Sequence, residues 1–345
     1  MSKVDIEYAS LCRDIMAHGT VKETRSGKVI SLFGRMMRFD LNEGLPILTT
    51  KKMYTKGVIH ELLWFLSGST NIKYLAENNV HIWDDDAYRW YLQQVDKHNS
   101  ISDVKERKFS KEEFLSAVLR GEHNSFIQNQ SYTYGDLGDV YGKSWRHFGI
   151  SGRDQIKEII NTLNTNPDDR RMLCVAFNPD VVDSVALPPC HVMFQFYTKK
   201  LSFVERVEIA RKQIEVVKDN ISVEELDALG IPKRKLSCMW SQRSVDFGLG
   251  WCFNLLSYSI LTHMIAQVVN MVLDEIICSL GDCHIYENQL EGIHEQIDRD
   301  PNRYGLPKLV LNKDIKNIDD FAYDDISIEG YESYPKITMP LSVGL

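Results

Sequence analysis

The sequence predicts an α+β fold, with one central sheet flanked by helices. Two observations predict it. Alternating apolar segments gather in the middle of the chain, at 171–178, 191–198 and 236–247. Helical patterns lie before and after them, and no internal repeat or low-complexity segment is present. A long apolar run, Trp251 to Leu273, carries Asn254, His263, Gln267 and Asn270, which suits a buried core helix better than a membrane span.

Taken in order, residues 3–19 read as a helix and Val29 to Asp40 alternates as a strand. Gly57 to Ser67 has helical periodicity, and Asn71 to Asn78 gives a second short helix. Residues 88–134 are polar, with a helical piece at Lys111–Arg120, and read as an insertion. Gly152 to Asn164 is a helix closed by the turn Asn166-Pro167-Asp168-Asp169. The strands 191–198 and 236–247 have a hairpin's order but are separated by 199–235, a charged helical stretch ending at Gly230-Ile231-Pro232 and a second insertion. The buried helix 252–272, a strand at Glu275–Gly281, a helix at 287–298 and short C-terminal strands complete a single domain, 1–345.

At 345 residues with 43% hydrophobic content, the chain can bury a large core. A net charge of −8 argues against a dominant nucleic-acid surface and leaves room for a local basic pocket. Seven cysteines, an odd count without disulfide-like spacing, together with a polar N-terminus, point to a reduced cytoplasmic setting. Cys278, Cys283 and His284 fit zinc spacing poorly and lack a second ligand pair, so no metal is expected.

The most informative segment is Ala186-Leu187-Pro188-Pro189-Cys190-His191. The Pro-Pro pair stiffens the backbone and sets Cys190 at the mouth of a strand, where a nucleophile belongs. Downstream, Ser241-Gln242-Arg243-Ser244-Val245-Asp246 offers an arginine that could hold the thiol as thiolate.

With these motifs the chain resembles the thymidylate synthase family. The resemblance runs through Leu48-Thr49-Thr50-Lys51-Lys52, His60-Glu61-Leu62-Leu63-Trp64-Phe65-Leu66 and His81-Ile82-Trp83-Asp84. It continues through Gly135-Asp136-Leu137-Gly138, Val140-Tyr141-Gly142, Asp169-Arg170-Arg171, Pro189-Cys190-His191 and Gln242-Arg243-Ser244, and ends with Gly281-Asp282-Cys283-His284-Ile285-Tyr286 and Gly330-Tyr331. It covers almost the whole chain outside the two insertions. It implies a sheet that stacks against its twin in a homodimer, dUMP as substrate and 5,10-methylene-tetrahydrofolate as cosubstrate.

It also implies residue roles. Cys190 is the nucleophile, with His191 beside it, Glu61 organising water at uracil O4 and Tyr141 near the C5 proton. Phosphate falls to Arg25, Arg243 and Ser244, and to Arg170 and Arg171 lent by the other subunit. Asn254 reads the uracil edge, with Gln242 nearby, while His284 and Tyr286 take the ribose hydroxyl. Trp83, Asp246 and Gly250 match folate contacts, and Lys51 the glutamate tail.

The chain departs from the family at Ser241, Trp251 and Cys252, where tyrosine, a small aliphatic and proline are usual, and at a longer end, Leu341-Ser342-Val343-Gly344-Leu345. Phage hydroxymethylases of pyrimidine nucleotides change the same inner positions. If these residues surround the folate pocket, water ends the reaction in place of hydride and the product is 5-hydroxymethyl-dUMP. A thymidylate synthase with a drifted pocket is the alternative. A non-catalytic, RNA-binding relative would use 199–235 and its Lys233-Arg234-Lys235 triplet, but the retained Cys190, Arg243, Asn254 and Glu61 speak for catalysis.

Overall fold

The computed structural model describes residues 3–124, 132–214, 218 and 220–341. The chain opens with α1 (Lys3–His18), the hairpin β1 (Thr20–Thr24) and β2 (Gly27–Asp40), then α2 (Thr55–Leu66) and α3 (Lys73–Glu77). The first insertion contributes α4 (Asp84–Ile101), α5 (Lys111–Arg120) and the small pair β3 (His123–Asn124) and β4 (Tyr132–Thr133). Next come α6 (Tyr141–Arg146), α7 (Gln155–Thr165), β5 (Leu173–Val175) and β6 (His191–Lys200). The second insertion forms α8 (Phe203–Gln213) and α9 (Val223–Ala228). The chain then runs through β7 (Arg234–Asp246), α10 (Gly250–Val268), β8 (Val272–Tyr286), α11 (Leu290–Ile297), β9 (Lys308–Leu311) and β10 (Ile326–Glu329).

The main sheet has six strands in the order β1-β2-β8-β7-β6-β5. Its neighbours pair antiparallel, except β7 and β8, which run parallel because α10 carries the chain back across the sheet between them. The expected hairpin partners β6 and β7 do pair, with Phe194 opposite Trp240. One face is covered by α1 and α10, and Trp240, Trp251, Phe194 and Phe196 are fully buried there. The other face is left open among the described residues, with Met36 at 62% and Tyr197 at 63% exposure.

Several bounds differ from the sequence reading. The strand at 171–178 shrinks to β5, because Asp169 accepts the Arg171 backbone N–H at 2.7 Å and keeps that end in a turn. The strand at 275–281 extends to 272–286, because β2 and β7 pair with it from both sides. The helix predicted to 272 ends at Val268, and Asn270 turns the chain with φ of 49°. The first insertion grows out of α4, which starts before residue 88 with Asp84, Asp85 and Asp86 favourably placed in its first turn. The insertion helices α5, α8 and α9 each begin with a capping box, Ser110 with Glu113, Ser202 with Glu205 and Ser222 with Glu225. Among the described residues, no helix is long and apolar enough to cross a membrane. Of the extended tail, 342–345 lie outside the described residues.

Candidate active site

A cavity of about 860 Å³ opens beside the C-terminal ends of β7 and β8. Its wall brings together Arg25, Glu61, Trp83, Tyr141, Cys190 and His191 from the chain up to the start of β6. From the second half come Gln242, Arg243, Ser244, Asp246, Gly250, Asn254, His284 and Tyr286. The volume is near the top of the range of roughly 300–1,000 Å³ usual for ligand sites, which suits two reactants meeting in one space.

The segment before Cys190 cannot join a strand ladder through Pro188 and Pro189, which have no N–H. Side chains hold it instead. Arg243 donates from Nε to the Pro189 carbonyl and from Nη2 to the Pro188 carbonyl, both at 2.9 Å. The Arg243 backbone N–H meets the Cys190 carbonyl at 2.8 Å. The Cys190 N–H donates to the Tyr141 hydroxyl at 2.8 Å, and Tyr141 stacks on His191 with ring centres 4.0 Å apart. Gly281 lies against this clamp: a Cβ there would sit 2.8 Å from the Arg243 carbonyl oxygen.

Burial pushes the Cys190 thiol above its ordinary range, and Arg243 and Arg25 act against this. Arg243 does so while its Nε and Nη2 hold the two proline carbonyls. His191 is pushed down to about 3 by burial, with its Nδ1 2.7 Å from the Tyr258 hydroxyl. Burial thus keeps the imidazole neutral. Burial also keeps Tyr141 a phenol.

Glu61 is poised differently. Burial raises its carboxyl from 4.5 to about 7, against a 2.7 Å hydrogen bond donated by Trp83 Nε1. Its folded-state value lies above the unfolded one, so the stability it contributes is complete below pH 4.5 and is lost as pH rises through about 7. Glu61→Gln cannot ionise. The variant should match wild type near pH 4 and exceed it at pH 8 by roughly 3 kcal/mol. Calorimetric melts at both pH values check this, and parallel curves for the two proteins would refute it.

The side expected to take the nucleotide is built from fixed partners. Asn254 donates from Nδ2 to Gln242 Oε1 at 3.1 Å, and Gln242 donates to the Ser244 carbonyl at 2.9 Å. His284 Nδ1 lies 3.2 Å from Asp282, whose carboxylate also takes Ser31 and Lys22. Asp246 Oδ1 accepts the N–H groups of Gly248 and Leu249, and its Oδ2 meets Gln289 Nε2 at 3.3 Å. A Cβ at Gly250 would meet only Asp246, at 3.7 Å, so the glycine leaves space to the cavity without being forced by packing.

Three expected residues are not brought to the cavity. Lys51 is 3% exposed and donates to the Gly248 carbonyl at 2.6 Å, so its ammonium bolts two segments together instead of waiting for a carboxylate tail. Arg170 and Arg171 lie exposed in the turn before β5, with Arg171 paired to Asp169 at 2.8 Å. Of the departures from the family, Leu341 of the longer end lines the cavity, whereas the three inner ones do not. Trp251 is fully buried against Phe247 and Tyr8, and Cys252 turns its thiol to the Leu249 carbonyl at 3.0 Å. Neither they nor Ser241 lines the cavity. Asp86 and Arg89 do line it and were missed, although their spacing of three from Trp83 was a readable signal.

A thiol, a carboxyl poised near neutrality and several cationic groups around one cavity are the set that nucleophilic catalysis on an anionic substrate would need. The family model described as thymidylate synthase matches residues 6–343. A thymidylate synthase of Mycoplasma mobile is 40% identical over 338 residues, covering 98% of this chain and 99% of that protein. The chain belongs to the thymidylate synthase family of one-carbon transferases, which act on dUMP with methylene-tetrahydrofolate as cosubstrate.

Proposed function

We propose that this protein is a thymidylate synthase that converts dUMP to dTMP and releases dihydrofolate. The observation that carries this reading over the hydroxymethylase is the position of Trp251 and Cys252, packed in the core and off the cavity wall. Two of the departures that favour the hydroxymethylase thus lie off the cavity wall, while Leu341 of the longer end lines it. The identity with the Mycoplasma mobile protein supports the same choice.

Cys190, once deprotonated, adds to C6 of the uracil, and the electron pair moves through C5 and C4 onto O4. Glu61, near neutrality, serves the proton traffic at O4 through water. C5 bonds to the one-carbon unit and loses its proton near Tyr141, the bond from that carbon to the cosubstrate nitrogen breaks, hydride adds to the exocyclic methylene, and Cys190 leaves C6 as the C5–C6 double bond re-forms. The cosubstrate supplies both the carbon and the hydride. Asn254, held by Gln242 through one N–H, keeps Oδ1 to accept uracil N3–H and its other N–H for O4. Arg25, Arg243 and Ser244 serve the phosphate, and Arg170 and Arg171 join them from a second subunit. The open sheet face with Met36 and Tyr197 supports a stacked homodimer.

Purified protein with dUMP and methylene-tetrahydrofolate should give dTMP and dihydrofolate in equal amounts, the latter read by its absorbance rise. A nucleotide product carrying a hydroxyl with oxygen from labelled water, and no dihydrofolate, would overturn the reading in favour of the hydroxymethylase.

A further inference from the structure

Helix α4 presents two faces with different tasks. Tyr88, Tyr91 and Val95 lie on one side, where Tyr91 packs against Phe109, Phe114 and Tyr134 of the same insertion. Trp83, Asp86 and Arg89, spaced by three, point the other way into the cavity wall. Trp83 bonds Glu61. Arg89 Nη2 pairs with Asp86 Oδ1 at 2.5 Å and also reaches the Ala186 carbonyl at 3.4 Å. Ala186 begins the segment that ends at Cys190. Arg243 and Tyr141 grip the far end of that segment, and Arg89 grips its start from the insertion.

We propose that the Asp86–Arg89 ion pair of α4 serves the reaction: Arg89 is a positioning residue for the nucleophile segment, and the pair balances charge beside the Cys190 thiol. This rests on the reading of Cys190 as the nucleophile. The pair is only partly solvated, with side-chain exposures of 12% for Asp86 and 21% for Arg89, so its charges are weakly screened. The charged groups acting on the thiol include Arg243 and Asp246 from β7, Arg25 from the β1–β2 turn and Asp86 from α4, and Arg89 of α4 and the titratable Glu61 of α2 line the same cavity.

The test is the pH dependence of Cys190 alkylation by iodoacetamide, followed by peptide mass, together with kcat and KM. The two single variants change the local charge in opposite senses. Asp86→Asn should move the alkylation midpoint to lower pH and Arg89→Ala to higher pH, each by roughly 0.5–1 unit. Arg89→Lys keeps the charge and loses the fork, so its midpoint should stay at the wild-type pH while kcat falls about tenfold with KM for dUMP little changed. Midpoints that do not move, or that move in the same direction, overturn the charge role, and full kcat in Arg89→Lys overturns the positioning role. If Arg89→Ala fails to fold, the Asp86→Asn midpoint still tests the charge role and Arg89→Lys still tests the positioning role. Alkylation needs no nucleotide, so opposite shifts in a protein that makes no dTMP would sustain this proposal while sinking the assigned activity.

Discussion

Cys190→Ala should bind dUMP and turn none of it over. Among the described residues the thiol is the atom at the mouth of β6 placed to attack the base, and its neighbours do not replace it: His191 is neutral and held by Tyr258, and the Tyr141 phenol is held by the Cys190 N–H. Loss of a covalent nucleophile costs roughly 10⁴–10⁶ in kcat. The fold should survive, because the bonds that shape the segment are made by the backbone of residue 190 and by Arg243, not by sulfur. The melting temperature should stay within about 3 °C of wild type. Tritium release from C5-labelled dUMP and the mass of the denatured protein check both halves. Wild-type protein should trap a nucleotide adduct that the variant lacks. Substantial product from Cys190→Ala would remove the nucleophile assignment.

Arg170→Ala/Arg171→Ala should be nearly inactive alone and recover activity when mixed with Cys190→Ala. Within one chain these arginines stand exposed before β5 and away from the cavity, so they can reach a phosphate only from a second copy. Charge-assisted bonds of about 1.5–3 kcal/mol each make their joint loss severe. After the two variants are unfolded together and refolded, half of the dimers should be mixed, each with one intact site, giving about a quarter of wild-type activity. An active arginine variant, or a fully active monomer in sedimentation, would rule out sharing.

The sequence made the sheet and its nucleophile legible because both depend on local patterns. Alternation marked β2, β6 and β7, and Pro188-Pro189 marked the strand mouth where Cys190 sits. The resemblance then located most of the cavity wall. What escaped it depends on where side chains end up after packing. Lys51 stands in a polar motif, yet its ammonium finds the Gly248 carbonyl 197 positions away. Trp251 reads as a departure near the pocket, yet it packs against Tyr8 and Phe247 in the core. Asp86 and Arg89 sit where an insertion begins, and only the docking of α4 turns them toward Cys190. Caps such as Ser110 with Glu113 were present in the sequence and would have given the insertion helices their starts.

The parallel pairing of β7 with β8 has a consequence for synthesis of the chain. Cys190 leaves the ribosome long before His284 and Tyr286, and the antiparallel β6–β7 pair can form while β8 is still being made. The cavity closes only when β8 inserts between β2 and β7, joining residues more than two hundred positions apart, such as Ser31 and His284. Such non-local pairing is slow and leaves strand edges open meanwhile. A nascent chain stalled before residue 286 therefore has its thiol and its proline clamp but lacks a complete cavity. The open edges of β2 and β7 in that interval make the unfinished chain a natural client for chaperones.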